Sequence, residues 1–217
     1  MMEIMEVIRS RHSVRQYLNT KIEDEKRNIL DSLCAMLNEE AGLNMQIIYD
    51  EPKCFNSIMA HYGSFSGVEN YIAIVGPKGD DLEEKAGYYG EKLVLKAQEL
   101  GLNTCWVALT HGKPLAKIGK GEKLSVVISL GYGATQGKEH KSKDINVLAK
   151  VSEDDPQWYA DGVEAAILAP TAVNQQKFFI DRDEDKVKIS APKGMLTKMD
   201  LGIIKCHFEM ASGHKAD

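Results

Sequence analysis

Residues 71–79 of the chain read Tyr71-Ile72-Ala73-Ile74-Val75-Gly76-Pro77-Lys78-Gly79. The first five residues are an uninterrupted apolar run, which predicts a strand that is buried on both faces. The Gly-Pro-Lys-Gly sequence that follows predicts a turn. Apolar residues then recur at helical spacing from about Leu82 to Leu100, and Gly101 closes that pattern. A buried strand that passes through a turn into a long helix predicts the α/β or α+β class.

The flanking sequence predicts further helices and strands in alternation. Thr20 and Glu23 form a capping-box pattern that predicts the start of a helix, and Gly42 predicts its end. The apolar face of this helix is expected to contain Ile22, Ile29, Leu33, Met36 and Leu37. Asp155-Pro156 predicts a cap and a first turn for a later helix, which ends at Ala169-Pro170. The other predicted elements are helices over 3–9 and 196–211, strands over 45–49, 104–109, 124–130, 178–180 and 187–189, and an exposed basic loop over 131–143.

The composition is that of an ordinary globular protein, with 43% hydrophobic and 27% charged residues. A formal net charge of −5 argues against a nucleic-acid-binding protein, because no overall positive field gathers phosphates. We find no signal-peptide core and no apolar run long enough to span a bilayer. The four cysteines are scattered, without histidines at metal-ligand spacing. We therefore expect buried thiols in a cytoplasmic protein that has no metal site and no membrane partner.

An internal echo indicates two related halves. Residues 77–79 and 192–194 both read Pro-Lys-Gly, and both are preceded by a predicted helix, strand and strand. Two equally spaced glycines follow in each case, Gly90 with Gly101 and Gly202 with Gly213. Short matches also arise by chance, so duplication and coincidence both remain open. Under duplication the chain is one globular unit made of a first half, a linker and a smaller second half, over 1–136, 137–155 and 156–217.

The first candidate binding cluster is Arg11-His12-Ser13-Val14-Arg15, at the end of the first predicted helix. Two guanidinium groups and a hydroxyl this close together can bind a phosphate, because a guanidinium donates two parallel hydrogen bonds to phosphate oxygens. A solvated basic turn is the alternative, since charge clusters near chain ends are common.

A second cluster spans the junction of a helix and a strand at Gly101-Leu102-Asn103-Thr104-Cys105-Trp106. Backbone amides and a tryptophan at such a junction can lie against a planar ring. Packing in the core is the alternative, because Cys and Trp are usually buried. Cys105 has no base near it in the sequence, which argues against a nucleophilic thiol.

A third cluster is Ala169-Pro170-Thr171-Ala172-Val173-Asn174-Gln175-Gln176. Its small residues permit close approach, and the side-chain amides of Asn174 and Gln176 can both donate and accept hydrogen bonds at a ring edge. A helix-terminating loop with its amides in water is the alternative. Lysines of the basic loop either add charge at the same phosphate or are solvated; they are Lys138, Lys141 and Lys143.

Together these motifs resemble the nitroreductase family of FMN-dependent oxidoreductases. In that family one helix runs into R-[RH]-S-x-R, another ends in A-P-S-A-x-N-x-Q-P-W, and a third ends in G-L-G-T-C-W. A glycine-containing strand end then leads to a basic loop. The corresponding segments here are 11–15, 169–178, 101–106, and 131–132 with 141–143.

Three departures from the family pattern stand out. The A-P-T-A-x-N-x-Q segment comes last, which resembles a less common branch with two similar halves in one chain and this motif near the C-terminus. Lys177-Phe178 replaces Pro-Trp, which puts the contact made by that tryptophan in doubt. Asn103 replaces a glycine and is expected to alter the local turn.

The resemblance implies an α+β fold with a central mixed sheet flanked by helices, and FMN bound in a groove between two similar surfaces. It implies that Arg11, Ser13 and Lys143 hold the phosphate and ribityl chain, and that Arg15 lies nearer the ring. Backbone groups from Thr104 to Trp106 would approach the flavin N5, and Asn174 and Gln176 the pyrimidine edge or the ribityl hydroxyls. The full set of expected FMN-binding residues is Arg11, His12, Ser13, Arg15, Thr104, Cys105, Trp106, Lys141, Lys143, Pro170, Thr171, Asn174 and Gln176.

The implied activity is hydride transfer from NAD(P)H to a small acceptor such as a nitroaromatic or a quinone. No catalytic side chain is predicted, because the flavin itself carries this chemistry. An FMN-binding redox sensor or carrier without turnover is one alternative, and a flavin-independent α/β protein that holds another phosphate is a second. The assembly is expected to be a monomer with pseudo-dimeric halves or a homodimer.

Overall fold

A computed structural model describes residues 3–217 and divides the chain into two compact units. The sheet unit comprises Arg11–Leu82 and Leu93–Glu139. The helical unit comprises the chain up to Ser10 together with Glu83–Lys92 and His140–Asp217. The division of the sequence into halves at 137–155 stays a prediction.

The sheet unit is built on four antiparallel strands in the order β1-β2-β4-β3. They are β1 (Asn44–Ile48), β2 (Asn70–Pro77), β3 (Asn103–Val107) and β4 (Glu122–Gly131). The unit also contains helix α2 (Asp24–Ala41) and the short helix α3 (Ile58–Tyr62), and α4 (Leu82–Glu99) contributes residues to both units. The α+β class is confirmed, but within residues 3–217 the strands pair antiparallel where a mixed sheet was expected, and the parallel contacts there are isolated bridges.

The apolar run over residues 71–75 forms the interior of the sheet. Strand β2 lies between β1 and β4, and the side chains from Tyr71 to Val75 have no exposed surface. Tyr71 and Ala73 belong to a core cluster with Phe55, Phe65 and Val107. A strand covered on both faces needs no polar alternation, which is why the run is continuous.

Helix α2 begins later than its capping pattern predicts and turns a partly different face inward. Its N-cap is Glu23 and no side chain caps it, so the prediction of a start at Thr20 is wrong. The Glu23 carboxylate instead accepts a hydrogen bond from the Tyr132 hydroxyl. Gly42 is confirmed as the end, with φ at 65° and its N–H bonded to the Asn38 carbonyl. Of the predicted face, Leu37 is buried in the helix and Ile22 is buried ahead of it, as expected, whereas Ile29 and Met36 are exposed. The other buried residues of the helix are Leu30, Cys34 and Ala41.

The helical unit packs helices against each other beside a small hairpin. Its helices are α1 (Ile4–Ser10), α5 (Ile145–Leu148), α6 (Gln157–Ile167) and α7 (Thr197–Ser212), and its strands are β5 (Phe179–Asp183) and β6 (Lys186–Ser190). The strands form an antiparallel pair. Pro156 is the N-cap of α6, so the prediction of an Asp155 cap is wrong; that carboxylate pairs with Arg182 and accepts from the Ser152 N–H.

Helices α4 and α7 approach each other at two glycines within the helical unit. A Cβ on Gly202 would lie 2.0 Å from the Glu84 carbonyl oxygen, and one on Gly87 would lie 2.1 Å from the Met199 carbonyl oxygen. Only glycine permits this distance between helix backbones. Gly87 and Gly202 are 115 residues apart, as are Pro77 and Pro192. When the two Pro-Lys-Gly turns are aligned, Gly202 therefore corresponds to Gly87, its partner at this contact. The spacing of the glycine pairs in the sequence had aligned Gly202 with Gly90.

Two further expectations concern the chain as a whole. All four cysteines are buried and free, which confirms the prediction of buried thiols. Among residues 3–217, no helix combines the length and the apolar character needed to cross a membrane.

Candidate functional site

The arginine segment, residues 11–15, runs alongside the start of β3 in the sheet unit. Ser13 and Thr104 form a parallel bridge, and the Val14 N–H donates to the Thr104 carbonyl at 3.0 Å. On its other side the Arg15 carbonyl accepts from the Ser66 N–H at 3.0 Å. Two motifs that are far apart in sequence therefore lie side by side.

Both arginines of the segment act on the same point, the thiol of Cys105. Burial raises the pKa of this thiol, and the charge of Arg15, a hydrogen bond with Ser13 and the charge of Arg11 oppose that rise. Arg11 is 4% exposed, whereas Arg15 is exposed. The start of β3 is therefore a local concentration of positive charge in a protein of negative net charge.

Tyr17 holds the arginine segment on the sheet. Its buried hydroxyl donates to the Val14 carbonyl at 2.7 Å and lies 2.8 Å from the Ser129 Oγ. Burial raises the pKa of Tyr17 well above its ordinary value, so the hydroxyl keeps its proton and continues to donate. Tyr17 was not predicted from the sequence, where its place two residues after Arg15 is the one signal that could have indicated it.

A glycine-rich loop covers the same segment from another side. The His12 Nδ1 lies 3.0 Å from the Gln136 carbonyl oxygen. Gly137 has φ at 78°, and a Cβ there would lie 2.7 Å from the His12 Cβ, so a larger residue would disturb this contact. The Asn103 side chain accepts from the Gly133 N–H at 2.9 Å and donates to the Gln136 side chain at 3.1 Å. Asparagine in place of the family's glycine therefore anchors this loop.

The second group of predicted residues lies in the helical unit and centres on the amide loop, residues 171–176. The buried Gln176 accepts from the Lys143 N–H at 2.8 Å and donates to the Lys141 carbonyl at 2.8 Å and to the Asn174 side chain at 3.0 Å. The Asn174 amide also donates to the Lys141 carbonyl at 3.0 Å. The Lys143 ammonium donates to the carbonyls of Gln175 and Gln176 at 2.7 and 3.0 Å. The Gln176 amide therefore positions the basic loop.

The amide loop holds an uncommon backbone conformation. Val173, Asn174 and Gln176 have φ values of 47°, 54° and 44°, and such residues cost on the order of 1–3 kcal/mol each, a strain that is typical of functional sites. The buried Asp200 of α7 stabilises the loop by accepting from the Ala172 N–H at 2.9 Å and from the Gln175 amide at 2.7 Å. Burial raises the pKa of Asp200, and these two hydrogen bonds oppose the rise. Asp200 was not predicted, because nothing in its spacing relates it to the loop.

The structure thus gathers the predicted residues into one group in each unit. The sheet unit holds Arg11, His12, Ser13, Arg15, Thr104, Cys105 and Trp106, and the helical unit holds Lys141, Lys143, Pro170, Thr171, Asn174 and Gln176. Trp106 and Pro170 are half-buried. Thr171 accepts a hydrogen bond from the Gln176 N–H at 3.0 Å.

The antiparallel sheet flanked by helices matches the fold of nitroreductase structures. The chain belongs to the family described as "Putative TM nitroreductase", whose family model matches residues 3–212. The chain is similar to the structure of a "putative nitroreductase" from Thermotoga maritima MSB8, with 25% identity, a TM-score of 0.71, and coverage of 97% of this chain and 83% of that one. No curated protein matches the chain.

Two other solved structures share the fold at lower identity. One is an FMN-dependent nitroreductase from Clostridium difficile R20291, with 20% identity, a TM-score of 0.54, and coverage of 70% of this chain and 99% of that one. The other is a nitroreductase from Desulfovibrio desulfuricans in complex with FMN, with 17% identity, a TM-score of 0.54, and coverage of 72% and 99%.

Proposed function

We propose that the chain is an FMN-dependent oxidoreductase that accepts hydride from NAD(P)H and reduces a small acceptor such as a nitroaromatic or a quinone. The observation that carries this proposal is the contact between the arginine segment and the start of β3, where Ser13 bridges Thr104. Membership of a nitroreductase family supports it, as do the FMN-dependent and FMN-bound structures that share the fold.

The donor set in the sheet unit suits a flavin mononucleotide. A phosphate needs cations and hydroxyl donors, and Arg11, Ser13 and Arg15 supply them close to the Cys105 thiol. Arg11 is buried and fixed, which suits a phosphate, whereas the exposed Arg15 suits the electron-rich edge of a ring. Backbone groups from Thr104 to Trp106 would lie along the ring. When bound, FMN supplies the hydride-transfer chemistry.

We further propose roles for the predicted residues of the helical unit. Asn174 is exposed and keeps acceptor capacity for a ribityl hydroxyl or the ring edge. Lys143 retains one ammonium proton beyond the two that its carbonyl partners use, and that proton would serve the phosphate. Gln176 acts through Lys141, Lys143 and Asn174, because its amide protons are already used within the protein.

A redox sensor or carrier that binds FMN without turnover is the second candidate. The observation that favours it is Lys177-Phe178 in place of the family's Pro-Trp, since the contact of that tryptophan is then missing. Both candidates predict bound FMN, and only the enzyme predicts sustained transfer from NAD(P)H to an acceptor.

The test uses the purified full chain. We expect a yellow protein with FMN in its visible spectrum, bleaching of that spectrum by NAD(P)H without oxygen, and recovery of colour on addition of a nitroaromatic or a quinone. Bleaching and recovery at rates too slow for turnover would support the sensor or carrier instead. A chain that is colourless and binds no added FMN would refute both candidates.

A further inference from the structure

A cleft of about 400 Å³ opens in the helical unit, beside α5 and the end of the hairpin where β5 begins and β6 ends. Its volume lies within the roughly 300–1,000 Å³ that is usual for sites of small ligands. The lining residues that matter for its chemistry are Lys143, Lys177, Phe178, Phe179, Ser190 and Pro192.

The cleft combines positive charge with an aromatic wall. Two lysines line it, and none of its lining residues is acidic. The Lys177 ammonium forms no ion pair with any carboxylate of residues 3–217, and its side chain is exposed. Phe179 is 40% exposed although it is a large apolar residue, and Pro192 lines the same cleft. A phosphate that carries a planar ring matches this set, because lysine binds phosphate and aromatic faces stack on bases.

Two residues that depart from the nitroreductase pattern form part of the cleft. Lys177 and Phe178 stand where the nitroreductase pattern has Pro-Trp, and both line it. Lys143 and Gln176 also line it, and both belong to the proposed FMN-binding group of the helical unit. The cleft therefore continues from that group, as expected for a second ligand that must reach the same cofactor.

We propose that this cleft binds the 2′-phosphoadenosine end of NADPH, so that the protein uses NADPH in preference to NADH. The inference rests on the proposed function and names its electron donor. NADPH differs from NADH by one phosphate on the adenosine ribose, and the exposed Lys177 offers a charge for that phosphate. The exposed face of Phe179 offers a surface for the adenine.

The first measurement is the direct binding of ligands to the full chain, which calorimetry follows. We expect 2′,5′-ADP to bind more tightly than 5′-AMP, and Lys177→Gln to weaken 2′,5′-ADP about tenfold or more, the effect of losing a charge-assisted hydrogen bond. Lys186→Gln is the matched control, because Lys186 is an exposed lysine at the other end of β6 and does not line the cleft. Undiminished binding in Lys177→Gln would overturn the proposal.

The second measurement is steady-state kinetics with each donor. In Lys177→Gln the KM for NADPH should rise about tenfold while the KM for NADH stays unchanged, because only NADPH carries the extra phosphate. Equal changes for both donors, or none, would overturn the proposal. FMN content and melting temperature should match the wild type in both variants. A chain without FMN would refute the proposed function, yet the calorimetric comparison would still test the cleft.

Discussion

At the scale of single residues, the two arginines of the arginine segment differ in burial although they act on the same thiol. Arg11 is almost fully buried, whereas Arg15 is exposed and its guanidinium carbon lies 5.9 Å from the centre of the Phe65 ring. A buried guanidinium loses little side-chain entropy when it binds a ligand, so its hydrogen bonds contribute more fully to affinity. Arg11 should therefore be the main phosphate ligand.

Replacing Arg11 tests that role. Arg11→Ala should weaken FMN retention by roughly 1.5–3 kcal/mol, the scale of a hydrogen bond to a charged group. FMN content after dialysis and a fluorescence titration with FMN measure the loss. Arg9→Ala is the control, because the Arg9 guanidinium is exposed and pairs with Glu164 in the helical unit. Unchanged flavin content in Arg11→Ala would remove Arg11 from the site.

Cys105 should act through its position and not as a nucleophile. Burial raises the pKa of its thiol despite two nearby arginines, so the thiolate is scarce at neutral pH. Cys105→Ala should retain FMN and its reduction by NAD(P)H at close to the wild-type rate, measured by stopped-flow bleaching. In the wild type, the rate of FMN reduction by NAD(P)H should also show no step between about pH 7 and 8.5, where an ordinary thiol begins to ionise. Loss of reduction with FMN still bound would show that the thiol takes part.

Residue types and their order select candidate residues, and the binding of FMN by these residues stays a prediction. Residue types and order were enough to select Arg11, Thr104 and Asn174, whose neighbourhoods the structure now describes. The hydrogen bonds by which Gln176 holds the basic loop could not be predicted, because its partners are backbone groups of Lys141 and Lys143 that only the fold brings near. Tyr17 was missed for the same reason, since its hydroxyl partner is a carbonyl that carries no signal in the sequence.

At the scale of elements, the contact of α4 with α7 depends on the absence of side chains. Gly202→Ala would place a methyl group 2.0 Å from the Glu84 carbonyl oxygen, and the backbone cannot give way without separating the helices. We expect a loss of about 3 kcal/mol or more in the free energy of unfolding, measured by urea denaturation. Lys198→Ala, on an exposed position of the same helix, is the control and should change stability little. A urea midpoint for Gly202→Ala equal to that of the wild type would contradict the close approach of α4 and α7.

A buried histidine–glutamate pair links the same two helices. The His207 Nε2 lies 2.9 Å from a Glu91 carboxylate oxygen, the Nδ1 lies 3.0 Å from the Ala165 carbonyl oxygen, and both residues are fully buried. His207→Leu should cost about 3–5 kcal/mol, because the Glu91 carboxylate loses its imidazole partner in a low-dielectric interior. The double variant Glu91→Leu/His207→Leu should recover much of that loss. A double-mutant cycle measures the coupling, and additive single effects would show that the pair does not interact.

The type and order of the longer elements followed from local sequence, whereas some of their starts and the packing of their faces did not. The apolar run of β2 and the turns after it fix the centre of the sheet without reference to partners. Part of the inward face of α2 was misplaced because the exposed Ile29 and Met36 are as apolar as the buried Leu30. Tertiary contacts decide between two such faces, and a short periodic pattern cannot. Helices α3 and α5 are too short to leave any periodic signal.

At the scale of the whole molecule, the order of elements repeats around the two Pro-Lys-Gly turns. Helix α2 precedes β1, β2 and α4, and helix α6 precedes β5, β6 and α7. A glycine in the left-handed conformation follows each long helix: Gly101, two residues after the end of α4, has φ at 77°, and Gly213, directly after α7, has φ at 71°. Helix α3 between β1 and β2 has no α-helical counterpart between β5 and β6. Two related halves in one chain therefore stay a prediction.

The arginine segment and the amide loop each occur once in the chain, the former in the sheet unit and the latter in the helical unit. We therefore expect one FMN per chain, bound by residues 11–15, 104–106 and 174–176 of that same chain. The alternative is a homodimer in which each site takes the arginine segment from one subunit and the amide loop from the other.

Mixing two defective chains distinguishes these assemblies. Arg11→Ala and Asn174→Ala chains are prepared separately, each with impaired FMN binding, then unfolded together in equal amounts, refolded and titrated with FMN. If each site is built within one chain, every chain still carries its own defect and the mixture binds no better than the average of the two variants. If subunits share sites, each mixed dimer contains one complete site, and FMN binding should recover toward about half of the wild-type level. Such recovery would refute the one-chain site, and refolded wild type controls for losses during refolding.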